Sequence, residues 1–143
     1  MNVLGCSTLV VLAMTVYLLS CHAMSWFDKM VLATSLCAQV LVLVGLFTKD
    51  KVVTEISHCA FGAVLVAVAF FGRSKYLLML AISCIALSLL SRFAIGKCMF
   101  EWETDGKEAS VQLYPDFHWD WVYAALLCTA LARFHSIHGI IGI

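Results

Sequence analysis

The chain has 143 residues, of which 63% are hydrophobic and 13% charged, and its nine basic residues balance nine acidic ones. A soluble domain carries about 45–50% apolar and ~25% charged residues, so an ordinary soluble globular protein and a disordered chain are both excluded. With a mean hydropathy of +0.98 and no polybasic run to attract nucleic acid or anionic lipid, the class is a small multi-spanning membrane protein.

A membrane-spanning helix needs about 20 mostly apolar residues. The first such run is uncharged from Met1 to Phe27, and its predicted span is residues 3–23. Cys21-His22-Ala23 is a passable small-x-small cleavage site. No Lys or Arg precedes the run, however, and the run is long for a signal core. The expectation is therefore a retained first helix.

Asp28 and Lys29 interrupt the apolar pattern. The second predicted span is 30–48, ended by Lys49, Asp50 and Lys51. The third is 52–72, with Glu55 and His58 in its first two turns; Arg73, Ser74 and Lys75 close it. The fourth is 76–95, with Arg92 in its last turn, where a long cationic side chain can snorkel to the headgroups. The short turns after the second and third spans force antiparallel neighbours, as in an up-down bundle.

Residues 96–120 are the one polar excursion and hold six of the nine acids. Thr104-Asp105-Gly106-Lys107 is a good two-residue type I′ turn. Pairing outward from it puts Cys98, Phe100, Trp102, Ala109, Val111 and Leu113 on one apolar face. Glu101, Glu103, Ser110 and Gln112 fall on the other. This alternation predicts a β-hairpin over 98–114. A lone hairpin is marginal in water, so its apolar face requires a cover. Tyr114-Pro115-Asp116 then turns the chain back, and Asp120 is placed to cap the next helix.

Residues 121–143 form a second-rank apolar run broken by Arg133, His135 and His138. It is read as a possible fifth span with Arg133 facing protein. Trp26, Trp102, Trp119 and Trp121 all stand at or outside predicted ends, as interfacial anchors do. Orientation is undecided. With five spans, Lys and Arg would divide five against four between the two sides.

Glu55 and His58 share a helix face at three-residue spacing. An ionisable group within a span is a functional hypothesis by default, so Glu55, His58 and Arg92 are the candidate polar path. The competing reading is interfacial, with Lys51 an i,i+4 partner for Glu55. A Glu-x-x-His di-metal site needs two copies and two further glutamates, and no other predicted span carries an acid. His135 and His138, with Cys128 two turns earlier, offer too few ligands for a tetrahedral metal. The seven cysteines include no Cys-x-x-Cys pair and read as small hydrophobes. No nucleophile elbow, P-loop or His-Glu-x-x-His is present, and no lysine lies deep in a span. Neither a metal nor an organic cofactor is expected, nor an enzyme; Cys98 and His118 would be the candidates for a lipid- or thiol-directed one.

Packing signals are richer. Ala124, Cys128, Ala132 and Ser136 recur every fourth residue, and Ala63/Ala67 and Cys84/Ser88 repeat the spacing on other spans. Small-xxx-small faces let helices approach closely in lipid. The expected fold is an all-α membrane protein: an antiparallel transmembrane bundle of four to five spans with a short extramembrane β-hairpin, forming one domain over 1–143. The expected role is a structural or accessory component of a larger membrane-embedded assembly, either a complex subunit or a virion membrane protein. Its expected partners are the bilayer and other membrane, complex or capsid proteins, with no nucleic acid. The alternative is an oligomeric ion or proton pore using Glu55 and His58.

Overall fold

The computed structural model describes residues 3–96 and 119–139. They form five helices: α1 (Val3–Cys21), α2 (Trp26–Thr48), α3 (Lys51–Phe71), α4 (Lys75–Ile95) and α5 (Trp119–His138). The first four are long and apolar enough to cross a membrane. The shortest, α1, has 19 residues, about 28 Å at 1.5 Å per residue, close to the ~30 Å of a bilayer core. No strand occurs among the described residues, so the β-hairpin is not borne out. Its residues, 98–114, lie outside the described ones, as do Trp102, Asp116 and His118.

These helices are rich in Ser, Thr and Cys, which water-solvated helices tolerate poorly. Within a span there is no water to compete, and the hydroxyls turn back onto their own helix. Thr15 Oγ1 donates to the Val11 carbonyl at 2.8 Å, and Ser83 Oγ to the Met79 carbonyl at 2.9 Å. Such back-bonds satisfy the polar group where lipid cannot.

The charged clusters between spans act as caps. Ser25 precedes α2, and its hydroxyl accepts from Asp28 N–H at 3.1 Å. Asp50 caps α3, its Oδ1 accepting from Val52 and Val53 N–H at 3.0 and 3.2 Å. Lys49 takes the left-handed conformation at the end of α2 (φ 57°), and the N–H groups of Lys49 and Asp50 both donate to the Gly45 carbonyl. Helix α2 consequently begins at Trp26 rather than Met30. Asp28 and Lys29, read as a break, lie inside its first turns.

Helix α3 is the central element and packs against α2, α4 and α5; α1 packs on α2, and α5 on α4. The first turn of α5 meets the last turn of α4 through Arg92 Nε and Asp120 Oδ1 at 2.5 Å. Its last turns meet the α3–α4 turn, where Arg133 Nη2 donates to the Gly72 carbonyl at 3.0 Å and His138 Nε2 to the Arg73 carbonyl at 3.2 Å. Helix α5 is therefore antiparallel to α4 along the whole of its length. It starts two residues before the predicted 121, and it is not one of the four helices apolar enough to span by composition.

The interior is a continuous apolar cluster including Leu18, Leu32, Val68, Leu78, Ala81 and Ile85. Beside it lie buried polar residues: Thr15, Asp28, Ser35, Gln39, Thr54, Ser57 and Ser91. The outside is apolar, with Phe47 93% and Phe93 76% exposed, and Met14, Leu41 and Leu90 also outside. A water-soluble domain does not surround a partly polar interior with large apolar side chains on every helix. Lipid is the solvent that fits this surface.

Candidate functional site

Two polar constellations lie within the helical frame. The first is at the end of the bundle where α2 and α4 begin and α3 and α5 finish. Asp28 is only 1% exposed. Its Oδ2 accepts from Ser25 Oγ at 2.8 Å and from Ser74 N–H at 3.1 Å, and its Oδ1 from Arg73 N–H at 3.2 Å. The carboxylate thus caps the start of α4 and ties it to the Ser25 cap of α2. Arg133 and His138 reach the carbonyls of the same turn from α5, and His22 packs edge-on against Tyr17 and Tyr76.

The second constellation lies between the helices. A cavity of about 150 Å³ is lined by residues from all five helices, and its polar side chains are Ser7, Thr8, Gln39, His58, Ser88 and Tyr123. At ~30 Å³ per water this is room for only a few small molecules. Gln39 is 3% exposed and donates through Nε2 to Thr15 Oγ1 at 3.1 Å and Ser35 Oγ at 2.8 Å. The Thr15 hydroxyl already donates to Val11, so the amide nitrogen must face it. That orientation leaves Gln39 Oε1 buried with no hydrogen-bond partner. Towards the Asp28 end, the apolar cluster of Leu32, Val68, Leu78 and Ala81 fills the interior.

The structure separates the predicted polar path. His58 lines the cavity between the helices. Glu55, one turn earlier, is half-buried but lines no described cavity, and Lys51 does not pair with it. Arg92 does not simply snorkel. It bridges to Asp120 and lies over the Tyr123 ring at 5.7 Å. Asp120 accordingly serves as an inter-helix bridge rather than as the cap expected of it.

On α5 the small-residue face points away from the bundle: Cys128, Ala132 and Ser136 are exposed and Ala124 is half-buried. Tyr123, Leu126, Leu127 and Phe134 face the core instead. Trp26 and Trp121 are each 76% exposed at the first turns of α2 and α5, while Trp119 is half-buried. Among the described residues no group of three or more His, Cys, Asp or Glu comes together, and no cysteine is in a disulfide. Cys84 alone of the described cysteines is buried; the rest face outward.

Sequence reasoning missed Gln39 and Asp28. Gln39 is the only amide or charged side chain in residues 30–48, and an amide within a span was the signal for a buried polar contact. Asp28 sat in a charge pair at a predicted boundary, where a solvated carboxylate is the ordinary expectation.

Comparison with known protein families, with curated proteins and with solved structures finds no match for this chain.

Proposed function

We propose that this chain is a small, non-enzymatic, multi-spanning component of a larger membrane-embedded assembly, docking onto neighbouring membrane, complex or capsid proteins through α5. A membrane-complex subunit and a virion membrane protein both fit this description. The carrying observation is the division of α5 into two faces. Tyr123, Leu126, Leu127 and Phe134 turn onto the chain's own core, and Cys128, Ala132 and Ser136 are left outward, alongside the exposed Trp121, Val122, Leu131 and Ile137. In lipid no water-driven force holds helices together, so close backbone approach across small residues is the main source of association. A large side chain on that face would serve a solitary protein equally well.

In this reading α5 is a fifth span. It runs antiparallel to α4 along its whole length, and Arg133, its one cation, is held by the Gly72 carbonyl inside the protein.

The test is the native mass of the tagged chain extracted in mild detergent from its natural source, with wild type and Ala132→Phe compared. The expected result is a large assembly containing other chains, from which Ala132→Phe drops out while keeping its helical content. A lone monomer or a small homo-oligomer for the wild type would overturn the reading.

The pore reading draws on one observation, that His58 and Gln39 line the same cavity between the helices. It needs a path through an interior that Leu32, Val68 and Leu78 fill, or one formed between copies. Ion flux in liposomes that disappears with Glu55→Gln or His58→Ala would favour it. Pure protein without flux above background would count against it.

A further inference from the structure

The two ends of the bundle differ in how they handle cations. At one end Arg92 is neutralised by Asp120. At the other, the described residues place Lys29, Arg73, Lys75 and Arg133 around one acid, Asp28. That acid is buried and saturated by Ser25 Oγ and the N–H groups of Arg73 and Ser74. It does not face the guanidinium groups as a counter-ion. Among the described residues no carboxylate pairs with Arg73 or Arg133.

A cavity of about 500 Å³ opens at this end, lined by Ser25, Phe27, Phe70, Phe71, Arg73 and Arg133. Its charged lining is cationic only. Arg133 is half-buried; one nitrogen, Nη2, donates to the Gly72 carbonyl, while Nε is buried with no acceptor. The Ser25 hydroxyl is already committed to Asp28, so the open donors are those of the two arginines. The opposite wall is aromatic. Phe27 and Phe71 meet edge-on at 6.2 Å between ring centres, and Phe70 and Phe71 are both exposed at the end of α3. A second cavity, which includes Lys75, shares Ser25 and Arg73 with the first.

We propose that this cavity seats the phosphate of an anionic phospholipid headgroup between Arg73 and Arg133, with the acyl chains running down over Phe27, Phe70 and Phe71. The proposal rests on the bilayer reading of α1–α4 and not on docking through α5. The ligand must be an anion, because a half-buried guanidinium without a counter-charge is costly. Phosphate suits it, because guanidinium groups match phosphate oxygens with several N–H donors at once. It must also be an amphiphile. The volume exceeds that of about ten waters at ~30 Å³ each, well beyond a bare phosphate, and the aromatic wall offers a free ion nothing. A net anionic headgroup is favoured over phosphatidylcholine, whose trimethylammonium group would sit among Arg73, Lys75 and Arg133. The cavity lies where α2 begins and α3 ends, which is the depth of the headgroups.

The test uses the full chain in detergent with native mass spectrometry. Phosphatidylglycerol, phosphatidylcholine and inorganic phosphate are added separately and in competition. Wild type is expected to retain phosphatidylglycerol about tenfold better than phosphatidylcholine, the size of one lost charge-assisted contact. Arg73→Gln and Arg133→Gln should each abolish that preference, and Arg92→Gln at the other end should leave it intact. Arg133→Gln removes the Gly72 contact and can unfold the chain. Among the described residues the Arg73 side chain makes no hydrogen bond, so Arg73→Gln keeps the test decisive. Equal retention of the two lipids, or a preference that survives Arg73→Gln, overturns the proposal. Displacement of the lipid by millimolar inorganic phosphate also overturns it, by making a soluble phosphate the ligand.

Discussion

Asp28 holds its carboxylate at 1% exposure because three donors from two separate segments converge on it. Two of them are backbone N–H groups at the start of α4, which have no partner within their own helix. The helix dipole adds to the attraction, since a negative group is favoured at a helix N-terminus. Asp28→Asn keeps the shape but turns one acceptor oxygen into an NH₂ group facing N–H donors. A buried donor left unpaired costs about 1–3 kcal/mol, and the variant is expected to lose that much. The loss would appear as a lower unfolding midpoint in detergent, with helical content retained before the transition. An unchanged midpoint would show that the capping bonds contribute nothing to stability. This role was not legible in the sequence. Asp28-Lys29 is locally indistinguishable from Asp50-Lys51, where the acid caps only its own helix. The difference lies forty-five residues away, in the turn that Asp28 reaches.

At the scale of elements, the spans were legible because lipid imposes one simple rule: about 20 apolar residues, bounded by charge. The predicted 52–72 and 76–95 differ from the observed α3 and α4 by only a residue at some ends. Which face of each helix turns inward was less legible. A lipid-facing and a protein-facing Val are equally apolar, so periodicity carries little signal; the stripe of Ala124, Cys128, Ala132 and Ser136 named a face without saying which way it points. Close approach has a clearer mark. A Cβ on Gly45 would stand 2.3 Å from Thr54 Oγ1, 2.9 Å from Thr54 N and 3.1 Å from its Cα. Two of those atoms are backbone and cannot rotate away. Gly45→Ala gains about 1 kcal/mol of helix propensity. Forced overpacking typically costs about 1–3 kcal/mol, and here α2 and α3 must separate. The expected net effect is destabilisation, measurable by denaturant titration in micelles. Adding Thr54→Ala should recover only part of it, because the backbone contact at 2.9 Å remains. A stabilised Gly45→Ala would mean that the helices have slack at this crossing.

For the molecule as a whole, the cationic end could not be seen in the chain order. Lys29, Arg73, Lys75 and Arg133 come from three places in the sequence, and no window contains a basic run. Antiparallel packing brings them to one end, and α5 completes the set. Whether α5 crosses the bilayer therefore governs both the charge asymmetry and the topology. Its composition is the weakest of the five helices, and an Arg at a span centre costs about 2.5–3.5 kcal/mol. Arg133 lies five residues before the end of α5, however, and donates to the Gly72 carbonyl at the turn. The Arg92–Asp120 bridge at one end and the His138–Arg73 contact at the other hold α5 level with α4. If α4 crosses the bilayer, a helix held to it at both ends crosses the same thickness. Single cysteines at Lys49, Lys75 and Gly139, placed in a chain whose native cysteines are replaced, test this in proteoliposomes with a membrane-impermeant maleimide. Lys75→Cys and Gly139→Cys are expected to label from one face and Lys49→Cys from the other. Labelling of Gly139→Cys together with Lys49→Cys would put α5 outside the bilayer. Arg133 would then lose its place beside the α3–α4 turn, and the lipid site would be left with Arg73 alone.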